Sequence, residues 1–282
     1  QAEMDKLSAS LDKLAEEDPT FQVTTDENSG QTIIAGMGEL HLDIIIDRLR
    51  REFGVEINVG SPQVTYKESF TQTVTHREVY KKQTGGKGKF ADIEFEIGPA
   101  DEGVVGLQFI NDVKGGNIPR EYILAAEKGF KSALSNGVLA GFPMDSMKVR
   151  LYDGSTHPVD SDSLSFEVAA QLGFKASGAK AKPVVMEPIM KVEVRVPAEY
   201  LGDVTGDLNR RRAMLREVEA NSVIQIVKAD APLSEMFGYI TTLRTLTQGR
   251  ANFSMEFSHY ARMTDDMADV VIKKAKGTYF FF

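Results

Sequence analysis

One order of hydrophobic periods occurs twice in this chain, and few folds satisfy it. Across residues 188–260, runs of period two and runs of helical period alternate as strand, helix, strand, strand, helix, strand. Ile189–Val196 reads as a strand, and Pro197 opens a helix through Arg212. Strands over 213–218 and 222–229, a helix from Pro232 to about Leu246 and a strand over 250–258 complete a βαββαβ unit, the ferredoxin-like split βαβ sandwich. The first sixty residues give the same order without its opening strand. Met4, Leu7, Leu11 and Leu14 line one face of a helix over 3–17, which Pro19 stops. Phe21–Thr25 and Gln31–Ala35 pair across the turn-forming run Asp26-Glu27-Asn28-Ser29-Gly30. A second helix from about Glu39 to Phe53 buries Leu42, Ile45, Ile46, Leu49 and Phe53, and Val55–Val59 alternates as a strand. The opening strand would lie before Gln1, so the order predicts a piece of something longer.

The middle of the chain is different. Thr65–Tyr80 alternates as a long strand or hairpin arm, and Asp92–Ile97 answers it with Ile93, Phe95 and Ile97 on one face. Between them lies Lys81-Lys82-Gln83-Thr84-Gly85-Gly86-Lys87-Gly88-Lys89. The plain reading is a flexible hairpin end. The functional reading is a phosphate-backbone contact, in which glycines admit close approach and lysines supply charge. From His76 to Lys89, the five basic residues Arg77, Lys81, Lys82, Lys87 and Lys89 face one acid, Glu78. A helix over 114–134 follows, with Tyr122, Ala125, Ala126, Gly129, Phe130 and Ala133 as a small-residue packing face.

A strand over 147–152 then turns at Asp153-Gly154 into the loop Ser155-Thr156-His157-Pro158-Val159-Asp160. Ser161 or Ser163 caps the next helix, which runs into Phe174 and keeps Leu164, Val168 and Leu172 as an apolar stripe. Met186-Glu187-Pro188 reads as punctuation closing the domain. On spacing alone His157 is a surface histidine, since a lone histidine is commoner as surface than as site. Asp153, His157 and Asp160 share one loop without an implied pocket, so a catalytic cluster is set aside. His41, in a helical first turn, reads as structural or as a contact to a neighbouring domain rather than as catalytic, and residues 262–276 read as a final helix.

Composition narrows the chemistry. No cysteine is present, which excludes disulfides and thiolate sites, and the four histidines lie far apart without zinc-like spacing. A net charge of −8 argues against a general nucleic-acid coat, leaving room for a local basic patch. No apolar run approaches the roughly 20 residues of a membrane span. No signal-peptide pattern precedes the first helix, and the expected compartment is the cytoplasm. Neither GxxxxGK[ST] nor Asn-Lys-x-Asp occurs, so no nucleotide site is read.

The run YDGSTHPVDSDSLSFEVAA closely resembles a tip loop of the fourth domain of bacterial elongation factor G. IIAGMGELHLDIIIDRLRREFGVEINVGSPQVTYKE resembles the third domain leading into the fourth, while GGNIPREYI and GFPMDSMKVRLYDG match the fourth in order. GDLNRRRAM and PLSEMFGYITTLRTLTQGRANFSMEF resemble the fifth. The family has serine and arginine where this chain has Thr84 and Lys87, usually glutamine where it has Lys89, and an acidic residue where it has Pro158.

The resemblance implies an α+β chain in which two ferredoxin-like split βαβ sandwich domains flank an elongated ribosomal-protein-S5-like α/β domain. Its divisions are residues 1–62 as domain III, 63–187 as the tRNA-mimicking arm, 188–260 as domain V, and 261–282 as a C-terminal helix packing back on the arm. It implies ribosomal translocation of tRNA–mRNA, with GTP hydrolysis, and hence GTP and magnesium, on a domain absent from this chain. No catalytic residue, metal ligand or cofactor is expected within it. The implied contact residues are Lys81, Lys82, Gln83, Thr84, Gly85, Gly86 and Lys87 in one loop, and Ser155, Thr156, His157 and Pro158 in the other. Arg210, Arg211 and Arg212 exceed what a helix dipole needs, and for them the resemblance implies a large-subunit contact. The expected partners are the ribosome, at the small-subunit decoding region and the large-subunit factor-binding region, and tRNA–mRNA. No membrane is implied, and a monomer is expected. A specialised paralogue for ribosome recycling or protection is the alternative.

Overall fold

A computed structural model describes residues 2–25, 32–36, 39–60, 64–83, 86, 88–220 and 223–277. The chain forms two compact units, one of residues 1–63 with 234–251, the other of 64–233 with 252–282.

In the first unit, helix α1 (Ala2–Glu17) is followed by the antiparallel strands β1 (Gln22–Thr25) and β2 (Thr32–Ala35), then helix α2 (Glu39–Arg51). The expected faces meet: Leu11, Leu14, Phe21, Ile45 and Leu49 are buried together. Met4, at the helix start, is exposed. The strand expected over 55–59 does not form. An extended segment needs a neighbour for its ladder, and among the described residues none pairs with it; only Val55 is buried, its N–H donating to Leu49 O at 3.0 Å. His41 places its Nε2 2.8 Å from Asp18 Oδ2, with its ring edge-on to Phe21.

The second unit opens with β3 (Lys67–Phe70) and β4 (Val74–Lys82), so the single arm expected over 65–80 is two strands in different sheets. Then come β5 (Lys89–Gly98), β6 (Gly106–Asn111), helix α3 (Arg120–Ala133), β7 (Ser146–Ser155) and helix α4 (Ser163–Gly178). Strands β4-β5-β7-β6 form one sheet, antiparallel except for the parallel pair β6 and β7. Sequence periodicity missed β6, which is short and bordered by glycines, and placed the start of α3 six residues early, before Pro119. Ile93, Phe95 and Ile97 face inward as expected and join Phe130, Phe166 and Phe174 in the core. Each such burial contributes roughly 1.5–3 kcal/mol.

The α4 stripe is a correction. Leu164 and Leu172 are exposed, and the face laid on the sheet and α3 is Phe166, Ala169, Ala170, Gly173 and Phe174. Small residues let the layers approach closely, and a count of large apolar residues overlooks them. The helix cap is also different: Asp162, not Ser161 or Ser163, accepts from Ser165 N at 2.8 Å.

Strand β8 (Pro183–Pro197) runs straight through Met186-Glu187-Pro188, which is therefore not a break. Helix α5 (Leu201–Arg210), strands β9 (Met214–Ala220) and β10 (Ile224–Pro232), the short helices α6 (Leu233–Met236) and α7 (Tyr239–Leu246), β11 (Asn252–Arg262) and α8 (Asp265–Ala275) follow. The helix expected over 232–246 is thus two, interrupted where Gly238 takes φ +70°. The α5 helix stops two residues early because Arg212 turns left-handed at φ +58°. In this second sheet the order is β11-β8-β10-β9, with β3 pairing with the first residues of β8. Helix α8 packs with Val185 and Met263 against Tyr66, Leu139 and Phe142. The loop bearing Leu139 and Phe142 is held by buried Glu68, whose carboxylate accepts the N–H groups of Leu139, Ala140 and Phe142. No helix among the described residues is long and apolar enough to cross a membrane.

Candidate nucleic-acid interface

The middle sheet brings its two outlying loops to one end. Strands β4 and β5 close with Lys82 opposite Lys89, which leaves residues 83–88 as their connection. On the other side of β5, Ser155 at the end of β7 sits opposite Asp92, four residues past the same connection. The loop after Ser155 therefore leaves the sheet beside the first loop. Gly154 permits this register, since a Cβ there would lie 2.2 Å from Asp92 O.

Four contacts then join the loops. Gly88 N donates to Asp160 Oδ1 and Phe90 N to Asp160 O, both at 2.9 Å. Ser161 Oγ donates to Phe90 O at 2.9 Å, and Lys89 pairs with Asp162. The imidazole of His157 lies 6.2 Å from the Phe90 ring, with its side chain 49% exposed. Its Nδ1 accepts from Asp160 N at 3.1 Å and Val159 N at 3.3 Å, and Asp160 Oδ2 stands 3.4 Å away. A hollow of about 230 Å³ remains between the loops, lined by Lys81, Lys82, Gln83, Lys89, Phe90, His157 and Asp160.

The charge counted along the sequence is not all available. Arg77 forks onto Asp92 at 3.0 and 2.9 Å, because the antiparallel register sets it opposite Glu94 and beside Asp92. Burial alone would raise the Asp92 carboxyl, but hydrogen bonds from Arg77 and Ser155 outweigh it and hold it below the ordinary range. Burial also acts upward on Asp162, and Lys89 with Ser165 brings it down to about 2. Exposed Lys81 and Lys82, with Gln83, remain at the loop surface. Thr84, Gly85 and Lys87 lie outside the described residues; Gly86 is exposed. In the second loop Ser155 donates to Asp92 at 2.7 Å, Thr156 is half-buried, and His157 and Pro158 are exposed.

The three arginines separate. Arg211 Nε bonds Asp207 Oδ2 at 2.8 Å, and Arg212 forks onto buried Glu187 at 2.9 and 3.0 Å. Arg210 is exposed. The larger hollow of about 740 Å³ on the second sheet is lined by charges that pair with one another, among them Arg216 with Asp230 and Lys191 with Glu256. Among the described residues no cluster of three or more His, Cys, Asp or Glu could hold a metal ion.

Comparison with known proteins bears on the same segments. Residues 62–182 match the family model for elongation factor G domain IV, residues 1–61 that for domain III, and residues 184–271 that for the elongation factor G C-terminus. The elongation factor G of Amoebophilus asiaticus is 60% identical over 278 residues, covering 99% of this chain and 39% of that protein. The chain belongs to the elongation factor G family. The elongation factor G of Cytophaga hutchinsonii is 57% identical, over 99% of this chain and 40% of its own length. A crystal structure from Thermus thermophilus superposes with a TM-score of 0.84 at 38% identity, covering 98% of this chain and 41% of the other. This chain thus spans about two fifths of the length of these elongation factor G relatives.

Sequence reasoning missed Asp160, Ser161 and Gly88 as the residues that unite the loops. Ser161 was visible only as a helix cap, and a bond between positions 72 apart leaves no periodic trace.

Proposed function

We propose that this chain is the C-terminal part of an elongation factor G translocase and works by contact rather than by chemistry. Residues 63–187 form the arm whose two loops enter the small-subunit decoding region and touch tRNA and mRNA, blocking backward slippage. Residues 188–260 face the large-subunit factor-binding region, with exposed Arg210 as the contact arginine. Residues 1–62 relay movement, and 261–282 brace the arm. GTP and magnesium bind a part of the factor outside this sequence, and no catalytic step falls on these residues. The factor acts in the cytoplasm as a monomer.

One observation carries the proposal: two loops distant in sequence are hydrogen-bonded into one surface that exposes Lys81, Lys82, Gln83 and His157. Such a surface offers neutral and charged donors to phosphate and ribose oxygens without reading bases. The relatives named elongation factor G at 57–60% identity support a translocase over a specialised paralogue. The test is His157→Ala in the full-length factor. Translocation should slow while ribosome-stimulated GTP hydrolysis stays near normal; equal loss of both would overturn the tip role.

A further inference from the structure

We infer that Ser161 is a positioning residue for His157, fixing the imidazole so that Nε2–H is the donor presented at the tip. The inference rests on the tip-loop reading above.

His157 caps a single turn of its own loop. Its carbonyl accepts from Ser161 N at 3.2 Å, and its Nδ1 accepts the N–H groups of Val159 and Asp160. Pro158 occupies the first position of that turn, where a missing N–H costs nothing and a fixed φ is pre-organised. A ring nitrogen that accepts two amide N–H bonds carries no hydrogen, so the neutral imidazole carries its own on Nε2.

Ser161 holds this turn from two sides. Besides its backbone bond, its Oγ accepts from His157 N at 2.9 Å and donates to Phe90 O at 2.9 Å. The hydroxyl therefore uses its donor and an acceptor site at once, tying the histidine's backbone to β5, the strand that begins at the other loop. Ser161 is buried, and its own carbonyl accepts from Tyr122 Oη at 3.2 Å, so it cannot swing away. Without the hydroxyl, the His157 N–H and the Phe90 carbonyl lose their partner together, and the ring is no longer aimed.

The experiment compares single-round translocation and ribosome-stimulated GTP hydrolysis for full-length factors bearing His157→Ala, Ser161→Ala, Ser161→Thr, and the two alanine changes combined. Ser161→Ala should slow translocation about three- to tenfold, the worth of one to two hydrogen bonds. GTP hydrolysis should be unchanged, Ser161→Thr should restore the rate, and the double variant should be no slower than His157→Ala. Ser161→Cys keeps the bulk with a weak hydrogen-bonding group and should share the alanine defect, which decides the matter if the alanine factor does not fold. If His157→Ala leaves translocation unchanged, the tip reading falls and this inference with it. If His157→Ala is slow and Ser161→Ala multiplies its defect, or Ser161→Thr fails to rescue, the tip reading stands and the inference is overturned.

Discussion

Gly88 and Asp160, 72 residues apart in the chain, share a 2.9 Å hydrogen bond from backbone N–H to carboxylate. A Cβ on Gly88 would stand 3.0 Å from the Asp160 carboxyl, so the glycine also permits the approach. Together with the bonds of Phe90 to Asp160 and Ser161 and the Lys89–Asp162 pair, this bond makes the two loops one surface.

Replacing Asp160 by Ala should therefore loosen the first loop without unfolding the sheet. The change removes one charge-assisted bond, worth about 1.5–3 kcal/mol. Amide exchange at Gly88 should accelerate, while exchange at Ile93 and Phe95 in the core of β5 stays slow.

Gly154→Ala should destabilise the protein by about 1–3 kcal/mol, as overpacking does. The new methyl would meet the Asp92 carbonyl at 2.2 Å, and that atom is fixed in the β5–β7 ladder. Chemical denaturation should show a lower midpoint with an unchanged slope.

Acid stability should carry the signature of Asp162. Its carboxyl titrates at about 2 in the fold, below its unfolded value near 4, so the folded protein prefers the charged form. Its contribution is whole above about pH 4 and is lost as pH falls towards 2. Asp162→Asn should flatten the fall in melting temperature across that window and leave the curve above pH 5 parallel to the parent's.

Arg212 and Arg210 should behave oppositely. Arg212→Ala strands Glu187, 5% exposed, as an unpaired buried charge, and should cost about 3–5 kcal/mol in thermal unfolding. Arg210→Ala should leave stability unchanged and weaken ribosome binding.

Charge reversal at Lys81 and Lys82 should weaken ribosome binding in a salt-dependent manner. Each lost phosphate contact removes about one unit from the slope of log affinity against log salt. An unchanged slope would contradict a phosphate contact.

Periodicity made the strongly patterned elements legible. Ile93, Phe95 and Ile97 announced β5, and Leu11, Leu14, Ile45 and Leu49 announced the facing helices of the first unit. It misled where small residues do the packing, as in α4, where Ala169, Ala170 and Gly173 are buried and Leu164 is exposed. Within the candidate site, loop composition pointed to Lys81–Lys87 and His157, but pairing decides which charges remain at the surface. Arg77 is consumed by Asp92, which the strand register brings near, and Lys89 by Asp162, the cap of α4.

The central claim is that both loops enter the small-subunit decoding region as one tip. The chain has no cysteine, so a single introduced thiol can carry an iron chelate that cleaves RNA within reach. Val159 is 60% exposed in the second loop, and Val105 is exposed beyond the opposite end of β5. In a full-length factor otherwise free of cysteine, Val159→Cys should direct cleavage to small-subunit RNA around the decoding region, and Val105→Cys should not. Cleavage there from both positions, or from neither, would contradict the account.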